Sequence, residues 1–267
     1  MTSNWHSNWY PASGPLAQVA AGVWSVHSAS DAELAARVLP DGSTSVVFRS
    51  DGAVLRSSDE GWRPLDAMSV SGPRSSPFEF QLSPGGRMLI VQLQPAGAMQ
   101  ILGVPMSSLA NAFDDLAAVA GPESHRLGDF VLDERDDQRS VRAIESWLMD
   151  RVRQHRPICE RTAAVVREVT CRAGNIRVED LAERVNLSRR HLGRMMMDRV
   201  GASPKLFARV ARFDHAVQRA RRCPDEPWAE IALDSGYADQ AHLTREFVDL
   251  GGIRPSQLRG AAASTIW

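Results

Sequence analysis

Leu181-Ala-Glu-Arg-Val-Asn-Leu-Ser188 returns 50 residues later as Ile231-Ala-Leu-Asp-Ser-Gly-Tyr-Ala238. The likeness continues downstream. His191-Leu-Gly-Arg194, Met196 and Gly201-Ala-Ser-Pro204 recur as His242-Leu-Thr-Arg245, Phe247 and Gly252-Ile-Arg-Pro255, now offset by 51 residues. A unit repeated at this period is one supersecondary module used twice. Each copy reads as helix, tight turn, helix. Leu181, Ala182 and Val185 form the inner stripe of a first helix, and Ala182 is small where two helices cross. Asn186 and Gly236 occupy the turn, where a left-handed backbone is needed. Leu187 and Tyr237 plug the gap, and Ser188 suits the N-cap of the next helix. Leu192/Met196 and Leu243/Phe247 give each second helix an apolar i,i+4 stripe, Gly201 and Gly252 stop it, and Pro204 opens another.

The opposite face of each second helix carries the chemistry. Arg190, Gly193, Arg194 and Met197 share it in the first copy; Gln240, Ala241, Thr244 and Arg245 share it in the second. Arginine pairs bidentately with guanine and glutamine with adenine, while small residues permit close approach. Such a helix is suited to a DNA major groove. His191 and His242 recur near the helix starts and read as packing or capping residues. Between the copies, Lys205–Arg222 is expected to be one long helix with Phe207, Val210, Phe213 and Val217 inward, spacing the two motifs rigidly.

The charge distribution points the same way. The chain carries a net charge of -1, yet residues 151–259 hold 21 Lys+Arg against 14 Asp+Glu, leaving 10 basic and 18 acidic residues elsewhere. A basic domain of this size suits an anionic partner. No apolar run approaches the ~18 residues of a transmembrane helix, and Met1-Thr-Ser-Asn-Trp-His6 lacks the features of a signal peptide. The expected location is the cytoplasm, without membrane association. Cys159, Cys171 and Cys223 form no CxxC pair, an odd count that suits free thiols.

The first hundred residues are expected to be β-rich, as a small barrel or sandwich. Ser43–Phe48 has strand composition. Phe78-Glu-Phe-Gln-Leu82 and Arg87-Met-Leu-Ile-Val-Gln-Leu93 flank Ser83-Pro-Gly-Gly86, which reads as a β-hairpin. Leu39-Pro-Asp-Gly42 is another turn. From Ala98 the pattern becomes helical, notably around Met106–Val119; residues 120–140 read as a loop or mobile connection. From Ser140 onward the chain is helical, with Val141, Ile144, Leu148 and Val152 on one face, broken at His155-Arg-Pro157. The expected fold class is therefore α+β. A β-rich N-terminal domain with helices (1–155) precedes an all-α domain (158–260) of two helix-turn-helix subdomains joined by a linker helix.

The second copy, with Ile231-Ala, Ser235-Gly-Tyr237, Asp239-Gln240, His242-Leu-Thr-Arg-Glu-Phe247 and Gly252-Ile-Arg-Pro255, resembles the AraC/XylS family of transcription regulators. Arg212-Phe213 followed by Ala216 matches as well, and the resemblance covers roughly Ile176–Arg259. It implies a seven-helix DNA-binding domain whose base-contacting positions fall on Arg190, Gly193 and Arg194, and on Gln240, Ala241, Thr244 and Arg245. It departs from the family at Gly193, where a polar side chain is usual, at Met196, where phenylalanine is common, and at Gly251-Gly252, where one glycine is usual. Upstream, Tyr10-Pro11, Leu16, Trp24, Leu39-Pro-Asp-Gly42, Val46-Val-Phe48 and Pro95-Ala-Gly-Ala98 resemble a variable sensing domain of one subset of these regulators.

The implied partners are double-stranded promoter or operator DNA, RNA polymerase, a small-molecule effector and a second copy of the chain. Activation is the mode the family favours; repression stays open. Trp5, Trp9, Tyr10, Trp24 and Trp62 suit an apolar pocket, or equally a core or subunit interface. No cofactor, metal site or enzymatic activity is expected: His6, His27 and His125 are far apart in sequence, and GxSxG, HExxH and P-loop motifs are absent. Two alternatives remain at this stage. One is a non-specific DNA binder. The other is an enzyme with an accessory DNA module, which would need a cysteine cluster that the first 158 residues lack.

Overall fold

The computed structural model describes residues 5–29, 31, 33–50, 54–57, 61–260 and 265–266. The strands are β1 (Trp5–Pro11), β2 (Ala20–Ser28), β3 (Leu34–Val38), β4 (Thr44–Ser50), β5 (Val54–Ser57), β6 (Gly61–Pro64), β7 (Met68–Ser71), β8 (Phe78–Leu82), β9 (Arg87–Leu93), β10 (Phe113–Asp115) and β11 (Thr265–Ile266). They form two sheets, ordered β1-β2-β9-β4-β7-β10 and β11-β3-β8-β5-β6. Every pairing is antiparallel except β11 with β3.

Residues 87–93 read as an almost unbroken apolar run because β9 is buried on both faces. Met88 and Ile90 meet Phe80 and Leu82 of the second sheet. Leu89, Val91 and Leu93 point the other way, onto helices, since successive side chains alternate across a strand. Those helices are α1 (Ala98–Leu102), α2 (Leu116–Ala120), α3 (Ser124–Asp133) and α4 (Asp137–Gln154). Ile101, Leu102, Leu116, Ile144 and Leu148 are buried there, each worth roughly 1.5–3 kcal/mol against an exposed state.

Three local expectations are corrected. The strands at 78–82 and 87–93 do not pair with each other: β8 bonds to β3 and β5, β9 to β2 and β4. The turn between them is a corner that carries the chain from one sheet to the other. The Ser28 and Gly85 amides hold it, donating to Gly86 and Ala29 carbonyls. Residues 106–119 are not one helix. A 3₁₀ turn at Met106–Ser108 leads to Asn111 in left-handed backbone (φ 58°), then to β10, which closes the sheet edge against β7, and α2. Residues 120–140 are mostly helical, because α3 buries Leu127 and Val131 against the first sheet.

A polar clamp fixes α4 to the sheet. Asp137 Oδ1 accepts from Arg87 Nε at 2.9 Å; Oδ2 accepts the Ser25 hydroxyl and lies 2.9 Å from His27 Nε2. Ser25 and His27 thus share one carboxylate oxygen. A catalytic relay would instead place the acid on the far ring nitrogen. Burial pushes the Asp137 carboxyl up, but the hydrogen bonds from Ser25, His27 and Arg87 more than offset this and hold it low.

The second half is helical: α5 (Glu160–Cys171), α6 (Val178–Arg184), α7 (Arg189–Val200), α8 (Pro204–Arg222), α9 (Trp228–Asp234), α10 (Gln240–Gly251) and α11 (Pro255–Gly260). It has two cores. One joins Val165, Val169, Leu181, Leu192, Met196 and Phe207; the other joins Phe213, Val217, Ile231, Tyr237, Leu243 and Phe247. Leu39, from the β3–β4 turn, is buried in the second of these cores, so the two halves share apolar packing.

At that junction, burial and then the nearby Asp41 carboxylate push Asp214 of α8 up to about 6, partly offset by the Gln218 amide at 3.2 Å. An acid whose folded pKa is raised penalises the fold when ionised. The penalty is full above about pH 6 and vanishes below the unfolded value of roughly 4. Asp214→Asn should therefore stabilise the protein by about 2 kcal/mol at pH 8. Thermal unfolding at pH 8 and at pH 4.5 checks this; an equal gain at both would refute the ionisation argument.

Candidate nucleic-acid interface

Both copies of the repeat fold as helix-turn-helix units, and each predicted local feature has its role. Asn186 (φ 51°) and Gly236 (φ 77°) turn the chain between α6 and α7 and between α9 and α10. Ser188 and Asp239 cap α7 and α10, accepting from the His191 and His242 amides. Gly201 and Gly252 end them in left-handed backbone, so of the Gly251-Gly252 pair only the second is the cap. Pro204 opens α8, with Ser203 as N-cap. Leu192, Met196, Leu243 and Phe247 are completely buried. The histidine rings diverge: His242 packs edge-on to Tyr237 at 5.2 Å, whereas His191 is exposed.

The outer faces are open. Arg190 and Arg194 are exposed on α7; Gln240, Ala241 and Arg245 are exposed on α10. Among the described residues, Arg190, Arg194 and Arg245 make no ion pair, hydrogen bond or ring contact. Their neighbours behave differently: Arg189 pairs with Glu179 at 2.9 Å and Arg184 with Glu168 at 3.2 Å. Thr244 is half-buried, and its hydroxyl donates to the Gln240 carbonyl at 2.8 Å, which leaves mainly its methyl for an outside partner.

Helix α8 stitches the units together through polar and aromatic contacts. Arg212 donates to the Gly174 carbonyl at 3.0 Å and covers the Tyr237 ring at 5.6 Å, touching both units. Arg209 binds Glu246 at 2.8 Å and Asp249 at 2.9 Å, tying α8 to α10. Phe213 and Phe247 meet edge to face at 5.0 Å. Asn175, before α6, lies directly on Gly236. Phe213, Phe247 and Gly236 read from local pattern, and Arg212 and Glu246 stand within the family pattern; Arg209, Asp249 and Asn175 carry no sequence signal.

Residues 181–261 match the family described as "Helix-turn-helix domain". The chain carries a helix-turn-helix domain. Residues 8–113 match a second family, described as "Domain of unknown function (DUF6597)". No curated protein matches the sequence. Among solved structures, the chain is similar to ToxT from Vibrio cholerae, at 11% identity over 96% of this chain and 98% of that one, with a TM-score of 0.48. It is also similar to a transcriptional regulator with an AraC-type DNA-binding domain from Chromobacterium violaceum, at 20% identity over 38% of this chain and 91% of that one, with a TM-score of 0.36. At these scores the solved structures add nothing to the assignment. No helix among the described residues is long and apolar enough to cross a membrane.

Gly193 sits mid-helix, and a Cβ built there would meet nothing within 4 Å. Nothing inside the protein requires glycine at this position. Gly193→Ala should stabilise α7 by about 0.5–1 kcal/mol. If the bare backbone serves close approach to a groove, affinity for DNA falls in the same variant. Paired melting and DNA-binding measurements check this, and a stabilised variant with undiminished affinity would remove Gly193 from the interface.

Proposed function

We propose that α7 and α10 read base edges in two successive major grooves of one duplex, through Arg190, Gly193 and Arg194 on the first helix and Gln240, Ala241, Thr244 and Arg245 on the second. The observation that carries this reading is that Arg190, Arg194 and Arg245 are exposed and unpaired while adjacent arginines are paired within the protein. An unpaired guanidinium retains all its donors for guanine O6 and N7. Phosphate contacts position the protein, and these side chains specify the site.

In this reading residues 158–260 bind DNA and residues 1–155 control them. Control runs through a small-molecule effector or a second copy of the chain, and the outcome is activation through RNA polymerase at a promoter in the cytoplasm. The shared packing of Leu39 with the second helical core supports a mechanical link between the halves. Mapping of bound sites followed by footprinting tests the groove reading. Each monomer is expected to protect about two helical turns. Protection of one turn, or binding with no sequence preference, would overturn it.

A further inference from the structure

Cys159 is the N-cap of α5, in extended backbone (φ -68°, ψ 119°). Serine, threonine, aspartate and asparagine are the usual residues at such a position, because a short side-chain acceptor faces the free amides of the first turn. In this chain a sulfur stands there instead. Thr162 follows three residues later, where the amide that an N-cap side chain reaches is found. Thr162 is 1% exposed, and its hydroxyl has no hydrogen-bond partner in the protein. An orphaned buried donor is costly, so this one is left over for a group that enters the site.

A pocket of about 320 Å3 lies at this end of the helix. Cys159 and Thr162 line it from α5, Gln100 from α1, and Arg199 from the last turn of α7. The other charged or titratable groups on its wall are Arg156 and His155, and His155 Nδ1 lies 2.6 Å from the Gln100 carbonyl. No carboxylate is among the residues that line it. Burial pushes the Cys159 thiol up, but the Thr162 amide and hydroxyl, the Arg161 amide and the Arg199 charge more than offset this and hold it below its ordinary value. The sulfur is half-buried, so a small molecule can reach it. The pocket is far larger than hydrogen peroxide needs, a molecule with about the bulk of two waters.

We infer that Cys159 is a site of oxidation by small hydroperoxides, with Thr162 and Arg199 placed to meet the charge that leaves. The Cys159 thiolate attacks one peroxide oxygen. An S–O bond forms and the O–O bond breaks. Sulfur loses two electrons, the peroxide gains them, and the products are the sulfenic acid and hydroxide. Donors already aimed at a developing anion stabilise it without reorganising, which is what a free hydroxyl and a guanidinium offer. Cys171 closes the same helix, about 18 Å away at 1.5 Å per residue. That is too far for a disulfide, so a free thiol such as glutathione would cap the sulfenic acid.

The test treats the full-length protein with an equimolar amount of hydrogen peroxide near neutral pH, traps sulfenic acid with dimedone and quantifies each cysteine peptide by mass spectrometry. Cys171 and Cys223 are exposed, so exposure alone would make them react first. Cys159 is expected instead to react at least about tenfold faster than either. Iodoacetamide alkylation followed against pH then locates its thiolate, with a midpoint expected below the roughly 8.5 of a free thiol. Arg199→Gln should raise that midpoint and slow the peroxide reaction several-fold. Thr162→Val should slow the peroxide reaction more than the alkylation, because iodide, unlike hydroxide, leaves without a hydrogen bond. Melting temperatures confirm that both variants fold, and Arg199→Gln decides alone if Thr162→Val does not. Oxidation of Cys171 or Cys223 at an equal or greater rate overturns the site, as does a Cys159 midpoint at or above the free-thiol value. Unchanged peroxide rates in the folded variants overturn the roles of Thr162 and Arg199.

Discussion

Arg194→Ala combined with Arg245→Ala should reduce affinity for the operator by about 2–6 kcal/mol, taking roughly 1–3 kcal/mol for each lost base contact and near-additivity for separate sites. The two residues stand on different motifs, exposed and without internal partners, so the substitutions leave no buried group unsatisfied and remove no ion pair. Stability should stay within roughly 0.5 kcal/mol of the parent, as for surface positions generally. This separation of effects gives the experiment its value. Fluorescence anisotropy at fixed salt, on a site found by genome-wide mapping, reads the loss. Each single variant should also relax preference at its own base pair. If instead the loss is uniform across sequences and the salt slope falls by about one, the residue contacts phosphate. Wild-type affinity in the double variant would falsify the assignment outright.

Gly236→Ala should destabilise the helix-turn-helix domain by about 2–5 kcal/mol. Two costs combine. A φ of 77° is left-handed backbone, which charges an alanine roughly 1–2 kcal/mol. The new methyl would also lie 1.7 Å from Asn175 Nδ2, forcing a rearrangement in packed surroundings at about 1–3 kcal/mol. Denaturant unfolding reads the sum. A second variant divides it: adding Asn175→Ala should recover the steric part and leave the backbone part. No recovery on adding Asn175→Ala would show that the Asn175 contact is not what excludes a side chain at 236. The first motif offers a contrast, because Asn186 holds the equivalent turn at φ 51° with an exposed side chain. The same turn tolerates a side chain there and excludes one in the second motif, because only the second is pressed against a neighbour.

That contrast marks how far the chain could be read in one dimension. A cap, a helix stop or an i,i+4 stripe is a relation between residues a few positions apart, and its physics is complete within one turn of helix. Ser188, Gly201, Pro204 and the Leu192/Met196 stripe were therefore legible, and so was the break after Gln154. The strands at 78–82 and 87–93 were legible for the same reason. Their pairing was not, because a Pro-Gly-Gly turn can close a hairpin or turn a corner equally well, and the choice falls to the Ser28 amide and the Ala29 carbonyl, outside the segment, which bond to Gly86 and Gly85. The helix at Ser124–Asp133 was hidden by its charged surroundings; two buried residues, Leu127 and Val131, hold it against the sheet.

By itself, the sequence determined that two alike helical modules exist, where each begins and ends, and which side of each second helix carries arginine, glutamine and threonine, because periodicity and capping are local. Only the tertiary structure decided which arginines are paired and which are free, how α8 fastens one module to the other, and that Pro73 and Pro77 lie against the glycines that end α7 and α10. The contacts of α8, and those of Pro73 and Pro77 with Gly201 and Gly252, join residues far apart along the chain, and no local pattern encodes a partner that distant.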